Sequence, residues 1–212
     1  LKLLVDCSGS MGGDSIGAAR RALHRILASL EPADRFSFWR FGSHVVHETD
    51  GLVPADAGHV RATAERLGRM DADLGGTEMA DALRAVFAIG GTDGAADVLI
   101  LTDGEVWDAD HLVSEARGAR QRVFAVGIGS APNGHFLRKA AEAGRGTQTL
   151  IRDINEVTER MDALLARLDR PAMRDIQLDW PANADVWSTY DVANAGDPDS
   201  RRPPSSTRPK WP

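Results

Sequence analysis

The sequence predicts an α/β fold, with an open, mostly parallel six-stranded sheet, one antiparallel edge strand, and helices on both faces. Short apolar runs of strand length alternate along the chain with longer segments whose apolar residues recur at helical spacing. In addition, residues 3–5 and 98–101 are apolar at every position, which is typical of strands covered on both faces in a parallel sheet. Together these patterns indicate a Rossmann-like arrangement.

Five segments are predicted to form the parallel strands: residues 1–6, 35–41, 98–102, 122–128 and 147–151. A sixth segment, residues 44–48, is short, has polar flanks and directly follows Gly42 and Ser43. This pattern predicts an edge strand that forms a hairpin with the second strand.

Amphipathic segments between the strands predict the helices. Their apolar stripes lie within residues 16–30, 56–67, 79–87, 112–119, 136–141 and 154–168. Pro32 ends the first segment, Gly144 stops the fifth and Pro171 bounds the last.

The pattern changes after residue 170, so residues 1–170 are predicted to form one domain. Residues 171–195 contain alternating apolar positions and are expected to form an extended segment of an adjoining β-rich unit. Residues 196–212 are rich in proline, serine and arginine and predict a linker or tail. The chain begins inside an apolar strand without a methionine, as expected of a fragment cropped from a longer protein.

Composition excludes several classes of protein. The 212 residues are 42% hydrophobic and 26% charged, which excludes a wholly disordered chain. No apolar run approaches the length of a membrane-spanning helix. The net charge of -6 disfavours nucleic acid as a partner. Cys7 is the single cysteine, so no intrachain disulfide can form.

Oxygen-bearing side chains are concentrated where the first and third parallel strands end and where the helix beginning at Met79 starts. They are Asp6, Ser8, Ser10, Thr77 and Asp103. The carboxyl ends of parallel strands meet at one edge of a sheet, where α/β proteins bind ligands. An oxygen-only set of two carboxylates and three hydroxyls suits a hard cation such as Mg²⁺. The alternative is structural, with each aspartate forming a turn and Thr77 capping the helix that follows.

This set of five residues, in this order, resembles the metal-ion-dependent adhesion site of von Willebrand factor A domains. The resemblance covers about residues 1–170 and implies that Ser8, Ser10 and Thr77 are direct or switchable ligands. It implies that Asp6 and Asp103 act largely through water. It also implies that Mg²⁺, with Mn²⁺ or Ca²⁺ as alternatives, binds there and that a partner's Asp or Glu side chain completes the coordination.

A narrower resemblance concerns residues 122–147 and 171–181, which are similar to bacterial proteins of the inter-alpha-trypsin inhibitor heavy-chain type. In that family a vault/inter-alpha-trypsin domain precedes the A domain, and extended segments follow it. Because some of those proteins are anchored in the envelope, the resemblance favours the cell envelope or secretion over the cytoplasm.

We therefore expect a metal-dependent adhesion or interaction module, with no enzymatic activity and no direct insertion into membranes. The first alternative is a magnesium-dependent phosphoryl-transfer enzyme with Asp6 as nucleophile, although Ser8 occupies the position where such enzymes carry a second aspartate. The second alternative is a structural domain whose metal site is unused. Four residues are expected at the rim of the ligand site: Met11, Glu78, Glu105 and Trp107. Cys7 is expected to be a packed thiol rather than a reactive one.

Overall fold

The computed structural model describes residues 1–89, 96–104, 109–119 and 121–169. The predicted extended segment and tail, residues 171–212, lie outside the described residues, as do Glu105 and Trp107. The division of the chain at residue 170 into two structural regions stays a prediction.

The described residues form seven strands and six α-helices. The strands are β1 (Lys2–Asp6), β2 (Arg35–Phe41), β3 (Val45–His47), β4 (Val53–Pro54), β5 (Val98–Thr102), β6 (Val123–Ile128) and β7 (Gln148–Ile151). The helices are α1 (Asp14–Ser29), α2 (Ala57–Leu67), α3 (Met79–Ala88), α4 (Ala109–Gly118), α5 (Gly134–Ala143) and α6 (Val157–Leu168). Two short 3₁₀ turns, Gly9–Met11 and Ile154–Glu156, precede α1 and α6.

The strand order of the sheet is β3-β2-β1-β5-β6-β7. The four pairs from β2 through β7 are parallel, and β3 joins β2 in antiparallel orientation. The predicted α/β class and the antiparallel edge strand are therefore confirmed. The sequence did not reveal β4, which pairs with the start of β2 through only two residues of each strand. A two-residue strand has too few positions to show a period, so only its long-range pairing defines it.

Two apolar clusters occupy the opposite faces of the sheet. Successive side chains of a strand point to opposite faces, so Leu3 and Val5 join one cluster while Leu4 joins the other. The first cluster contains residues of α1 and α6, and the second contains residues of α3, α4 and α5. These helices cover both faces, which explains why the central strands are apolar throughout.

β1 lies in the middle of the sheet, and the strands that follow it in the chain are placed first on one side of it and then on the other. From β1 the chain proceeds to β2 on one side, and β5 then adds on the other side. The gap between the carboxyl ends of β1 and β5 is thus a topological switch point, where ligands bind in open α/β sheets. Asp6 ends β1 and Asp103 follows β5, so the fold places both carboxylates at this point.

Within the part of the chain that the structure describes, the helices are all too short or too polar to cross a membrane.

Candidate functional site

Asp6 is fully buried at the carboxyl end of β1, and both of its carboxylate oxygens accept hydrogen bonds. The backbone N–H of Ser8 donates to Oδ1 at 2.9 Å, and the hydroxyl of Thr102 donates to Oδ2 at 2.6 Å. Burial raises the pKa of Asp6, the hydrogen bonds from Ser8 and Thr102 oppose that rise, and the charge of Asp103 adds to it. The carboxylate is therefore held in one orientation, close enough to Asp103 for the charges of the two groups to interact.

Thr102 is a site residue that sequence reasoning missed. Its buried hydroxyl donates to Asp6 and accepts a hydrogen bond of 3.0 Å from the backbone N–H of Gly104. One side chain thus links the end of β1 to the loop after β5. The available signal was a hydroxyl residue ending a strand that is otherwise wholly apolar, directly before Asp103.

Ser8 and Ser10 present their hydroxyl groups to each other across the 3₁₀ turn that follows β1. Their Oγ atoms lie 3.1 Å apart. Ser8 is buried, whereas Ser10 is exposed to solvent. Neighbouring ligands of an octahedral ion with metal–oxygen distances of about 2.1 Å would be about 3.0 Å apart. The separation of the two hydroxyls therefore fits two adjacent positions around an ion of the size of Mg²⁺.

The loop before α3 is bound to the loop after β1 by backbone hydrogen bonds. Leu74 donates its N–H to the carbonyl of Cys7 at 2.9 Å, and Gly9 donates to the carbonyl of Gly75 at 2.8 Å. Gly75 has a φ of 77°, and a Cβ there would lie 2.8 Å from the Ser43 hydroxyl oxygen, so this close approach requires glycine. The pairing brings the chain segment carrying Thr77 to the edge that holds Ser8 and Ser10.

Thr77 does not occupy the N-cap position of α3. That position belongs to Glu78, whose side chain makes no capping hydrogen bond and whose backbone N–H donates to Gly42 at 2.8 Å. Thr77 is half-buried and precedes the helix by one further residue. The alternative that Thr77 serves as the helix cap is therefore not supported.

Asp103 is half-buried in the loop after β5. Its carbonyl accepts a hydrogen bond of 3.1 Å from the N–H of Asn133, and the Asn133 side chain accepts from the N–H of Phe136 at the start of α5. Gly104 follows with a φ of 82°, and a Cβ there would lie 3.0 Å from Asn133. The loop is thus packed closely against the start of α5. Hydrogen bonds connect Asp6, Ser8 and Ser10 directly, while backbone contacts of neighbouring loops position Thr77 and Asp103.

The four residues expected at the rim have different environments. Met11 is fully buried in the apolar core, so its position does not fit the expected contact with a partner. Glu78 is exposed at the start of α3, which fits a rim position. Glu105 and Trp107 lie outside the described residues.

Cys7 is buried, as expected of a packed thiol. Burial raises its pKa to about 12, with the Arg40 guanidinium opposing and the Asp6 carboxylate adding to the rise. The thiol is therefore protonated near neutral pH and contributes no thiolate ligand or nucleophile.

The chemistry of the donor set fits a hard cation. In the described ranges, no three His, Cys, Asp or Glu side chains cluster in a way that could hold a metal ion. A site in these loops would therefore depend on hydroxyl oxygens in addition to Asp6 and Asp103. Magnesium commonly keeps several waters and takes one or two carboxylates, so a set dominated by neutral oxygens is compatible with it.

Comparisons with known proteins identify similar sequences. A family model described as "von Willebrand factor type A domain" matches residues 1–150. A von Willebrand factor A domain-containing protein of Dictyostelium discoideum is 30% identical over 84% of this chain and 20% of its own length. The inter-alpha-trypsin inhibitor heavy chain H1 of Mesocricetus auratus is 25% identical over 87% of this chain and 22% of its own length. The chain thus spans about a fifth of these relatives.

Solved structures share the fold. A von Willebrand factor type A structure from Catenulispora acidiphila has a TM-score of 0.66 and 30% identity, covering 78% of this chain and 41% of that one. Manganese-loaded TRAP protein of Plasmodium vivax has a TM-score of 0.60 at 20% identity, covering 77% of this chain and 72% of that one. Proximal thread matrix protein 1 of the mussel byssus, with a zinc-occupied MIDAS motif, has a TM-score of 0.62 at 16% identity, covering 77% of this chain and 44% of that one.

Proposed function

Since the chain belongs to the von Willebrand factor type A domain family, we propose that it is a divalent-metal-dependent protein-binding module rather than an enzyme. Its partner is a protein that presents an Asp or Glu side chain. The observation that carries the proposal is the pair of hydroxyls of Ser8 and Ser10, 3.1 Å apart beside the buried carboxylate of Asp6. The pair lies at the switch point of the sheet, where such folds bind ligands.

The environments of the residues support a division of roles. Ser8, Ser10 and Thr77 are assigned as direct ligands, because hydroxyl oxygens retain lone pairs after one hydrogen bond. Asp6 is assigned to act through water, because protein donors already engage both of its oxygens. Asp103 is assigned the same indirect role. Because all three assigned direct ligands are neutral, a bound ion keeps its positive charge available to an incoming carboxylate.

The identity of the metal is proposed from the donor set and from the structural neighbours. An oxygen-only set favours Mg²⁺, with Mn²⁺ or Ca²⁺ as alternatives. The manganese-loaded TRAP protein and the zinc-occupied MIDAS motif of the mussel protein support a divalent ion in this fold.

Calorimetric titration of the full chain with MgCl₂ and MnCl₂ tests the metal site. We expect saturable binding by the wild type and loss of binding in Ser10→Ala, because Ser10 is exposed and its removal leaves the core intact. Ser130→Ala is the matched control, since Ser130 is also exposed and follows the end of β6. Circular dichroism should show the same fold for all three proteins. Equal affinities of wild type and Ser10→Ala would contradict the assignment.

A second experiment tests whether the chain binds a partner protein through the metal. Proteins captured by the immobilised chain in MgCl₂ and released by EDTA should not be captured by Ser10→Ala. Metal binding without any chelator-sensitive partner would favour the structural alternative with an unused site. Turnover of a phosphate ester by the wild type and its loss in Asp6→Asn would favour the phosphoryl-transfer alternative.

A further inference from the structure

The sheet has a groove along β7, on the side away from β6. β7 ends the strand order, and among the described strands none pairs with its second side. The groove encloses about 350 Å³ between this strand and one side of α6. Its lining residues are Gln148, Thr149, Leu150, Arg152, Glu156, Arg160, Ala163 and Arg167.

The hydrogen-bond register shows which backbone groups of β7 point outward. Ala125 and Gly129 of β6 and its following loop donate to the carbonyls of Thr147 and Ile151, each at 3.1 Å. Because backbone groups alternate between the two sides of a strand, Gln148 and Leu150 direct their N–H and C=O groups toward the groove. The amide oxygen of the Gln148 side chain is also buried without a hydrogen-bond partner in the described structure. An unpaired strand edge of this kind is a template for another extended chain.

The groove is positively charged, although the chain as a whole carries a net charge of -6. Three arginines and one glutamate line it, which leaves two uncompensated positive charges. Glu156 pairs with Arg160, with Oε2 and Nε 3.6 Å apart. Within the described residues, Arg152 and Arg167 have no ion-pair partner, so their guanidinium groups remain available to external carboxylates.

We propose that the groove binds an acidic, extended segment of a partner protein, which adds to β7 as a further strand. Backbone groups of Gln148 and Leu150 supply the main-chain hydrogen bonds, and the two arginines of the groove that have no ion-pair partner within the described residues, Arg152 and Arg167, select acidic side chains of the segment. This surface is separate from the proposed metal site and needs no metal.

The test is fluorescence polarisation with the full chain in EDTA, which removes any contribution from a metal-bridged carboxylate. The probe is a labelled six-residue peptide of alternating glutamate and valine, and the comparison probe replaces glutamate with lysine. We expect the acidic peptide to bind and the basic peptide not to bind. Failure of the acidic peptide to bind at millimolar concentration, or equal binding of both peptides, would overturn the proposal.

Substitutions separate the contribution of the arginine charges from that of the backbone hydrogen bonds. We expect Arg152→Glu with Arg167→Glu to weaken binding by about tenfold or more. The matched control is Arg61→Glu with Arg69→Glu, two exposed arginines elsewhere on the chain, and it should bind like the wild type. Gln148→Pro removes an outward-facing donor at the start of an edge strand, where proline is tolerated, and should also weaken binding. Unchanged affinity in the groove variants would contradict the proposed location.

Hydrogen exchange then tests strand addition itself. Bound peptide should slow exchange of the Leu150 amide, which points away from β6. Binding without this protection would show that the peptide does not add to the strand. Sedimentation of the free chain tests whether a second copy of the chain occupies the groove instead. A dimer that Gln148→Pro disrupts would assign the groove to that second copy and overturn the proposal.

Discussion

The amino ends and the carboxyl ends of the parallel strands form two opposite edges of the sheet. Both edges contain polar groups, but the hydrogen bonds of these groups are formed in different ways. At the amino edge, the buried amine of Lys2 donates to the carbonyls of Val86 and Ile89 at the end of α3, at 3.0 and 2.6 Å. Arg122 nearby pairs with both carboxylate oxygens of Asp97, at 2.8 and 2.5 Å. At the carboxyl edge, the serine hydroxyls bond to each other, and one of them is exposed to solvent.

If the proposed function is correct, this difference separates stability from binding within one sheet. The charged groups of the amino edge have protein partners, so their contribution is to the folded state. The carboxyl edge keeps oxygen atoms in fixed positions with lone pairs still available. A polar group therefore indicates a binding site only when the fold positions it without using up its hydrogen-bonding capacity.

Arg122→Ala should have the largest effect on stability. The substitution leaves the carboxylate of Asp97, whose side chain is only 19% exposed, without its arginine partner. It also removes a hydrogen bond to the carbonyl of Leu168. Removing one partner of a largely buried ion pair costs about 3 kcal/mol of unfolding free energy. Urea denaturation measures this loss. If the edges are independent, the divalent affinity of the folded variant should equal that of the wild type, and a large drop would contradict the separation.

Thr102→Val should affect both stability and metal binding. The substitution preserves the shape of the side chain but removes the hydroxyl that bonds Asp6 and Gly104, at a cost of about 1–2 kcal/mol. Loss of a group that orients a metal site typically weakens metal affinity by about tenfold or more. Calorimetry and denaturation together measure the two effects. Thr63→Val is the control, because Thr63 is a buried threonine of α2, and it should leave metal affinity unchanged.

The smallest effect concerns the pH dependence contributed by Lys2. Burial lowers the pKa of Lys2 below its ordinary value of 10.5. Between the lowered pKa and 10.5 the unfolded chain binds more protons than the folded chain, so this group makes stability rise with pH. The free energy of unfolding of the wild type relative to Lys2→Met should therefore increase as the pH rises toward 10.5. A difference between the wild type and Lys2→Met that does not change with pH would contradict the assignment.

Most of the fold could be predicted because its strands and helices are marked by local patterns. The apolar run of β5 and the stripe of α6 lie where the sequence predicts them, and Gly144 follows α5 as its C-cap. What periodicity could not reveal was β4, because Val53 and Pro54 become a strand only by pairing with the start of β2.

The candidate site was predictable in its residue types but not in its connections. Asp6, Ser8 and Ser10 lie together because Asp6 ends β1 and the two serines follow it in the next turn, a relation that is visible in the sequence. The contribution of Thr102 depends on β5 lying beside β1, and the N-cap position of Glu78 depends on the backbone angles at the start of α3. Occupation of the site by a metal stays a prediction.

The hydrogen bond between Thr102 and Asp6 joins residues 96 positions apart in the chain. The bond from Gly9 to Gly75 likewise joins the first turn to a distant loop. The oxygen atoms therefore reach their final arrangement only once β5 is paired with β1. A newly made chain that stops short of β5 would carry the serines but lack the orientation of Asp6, so competence for ligand binding would be a property of the completed fold alone.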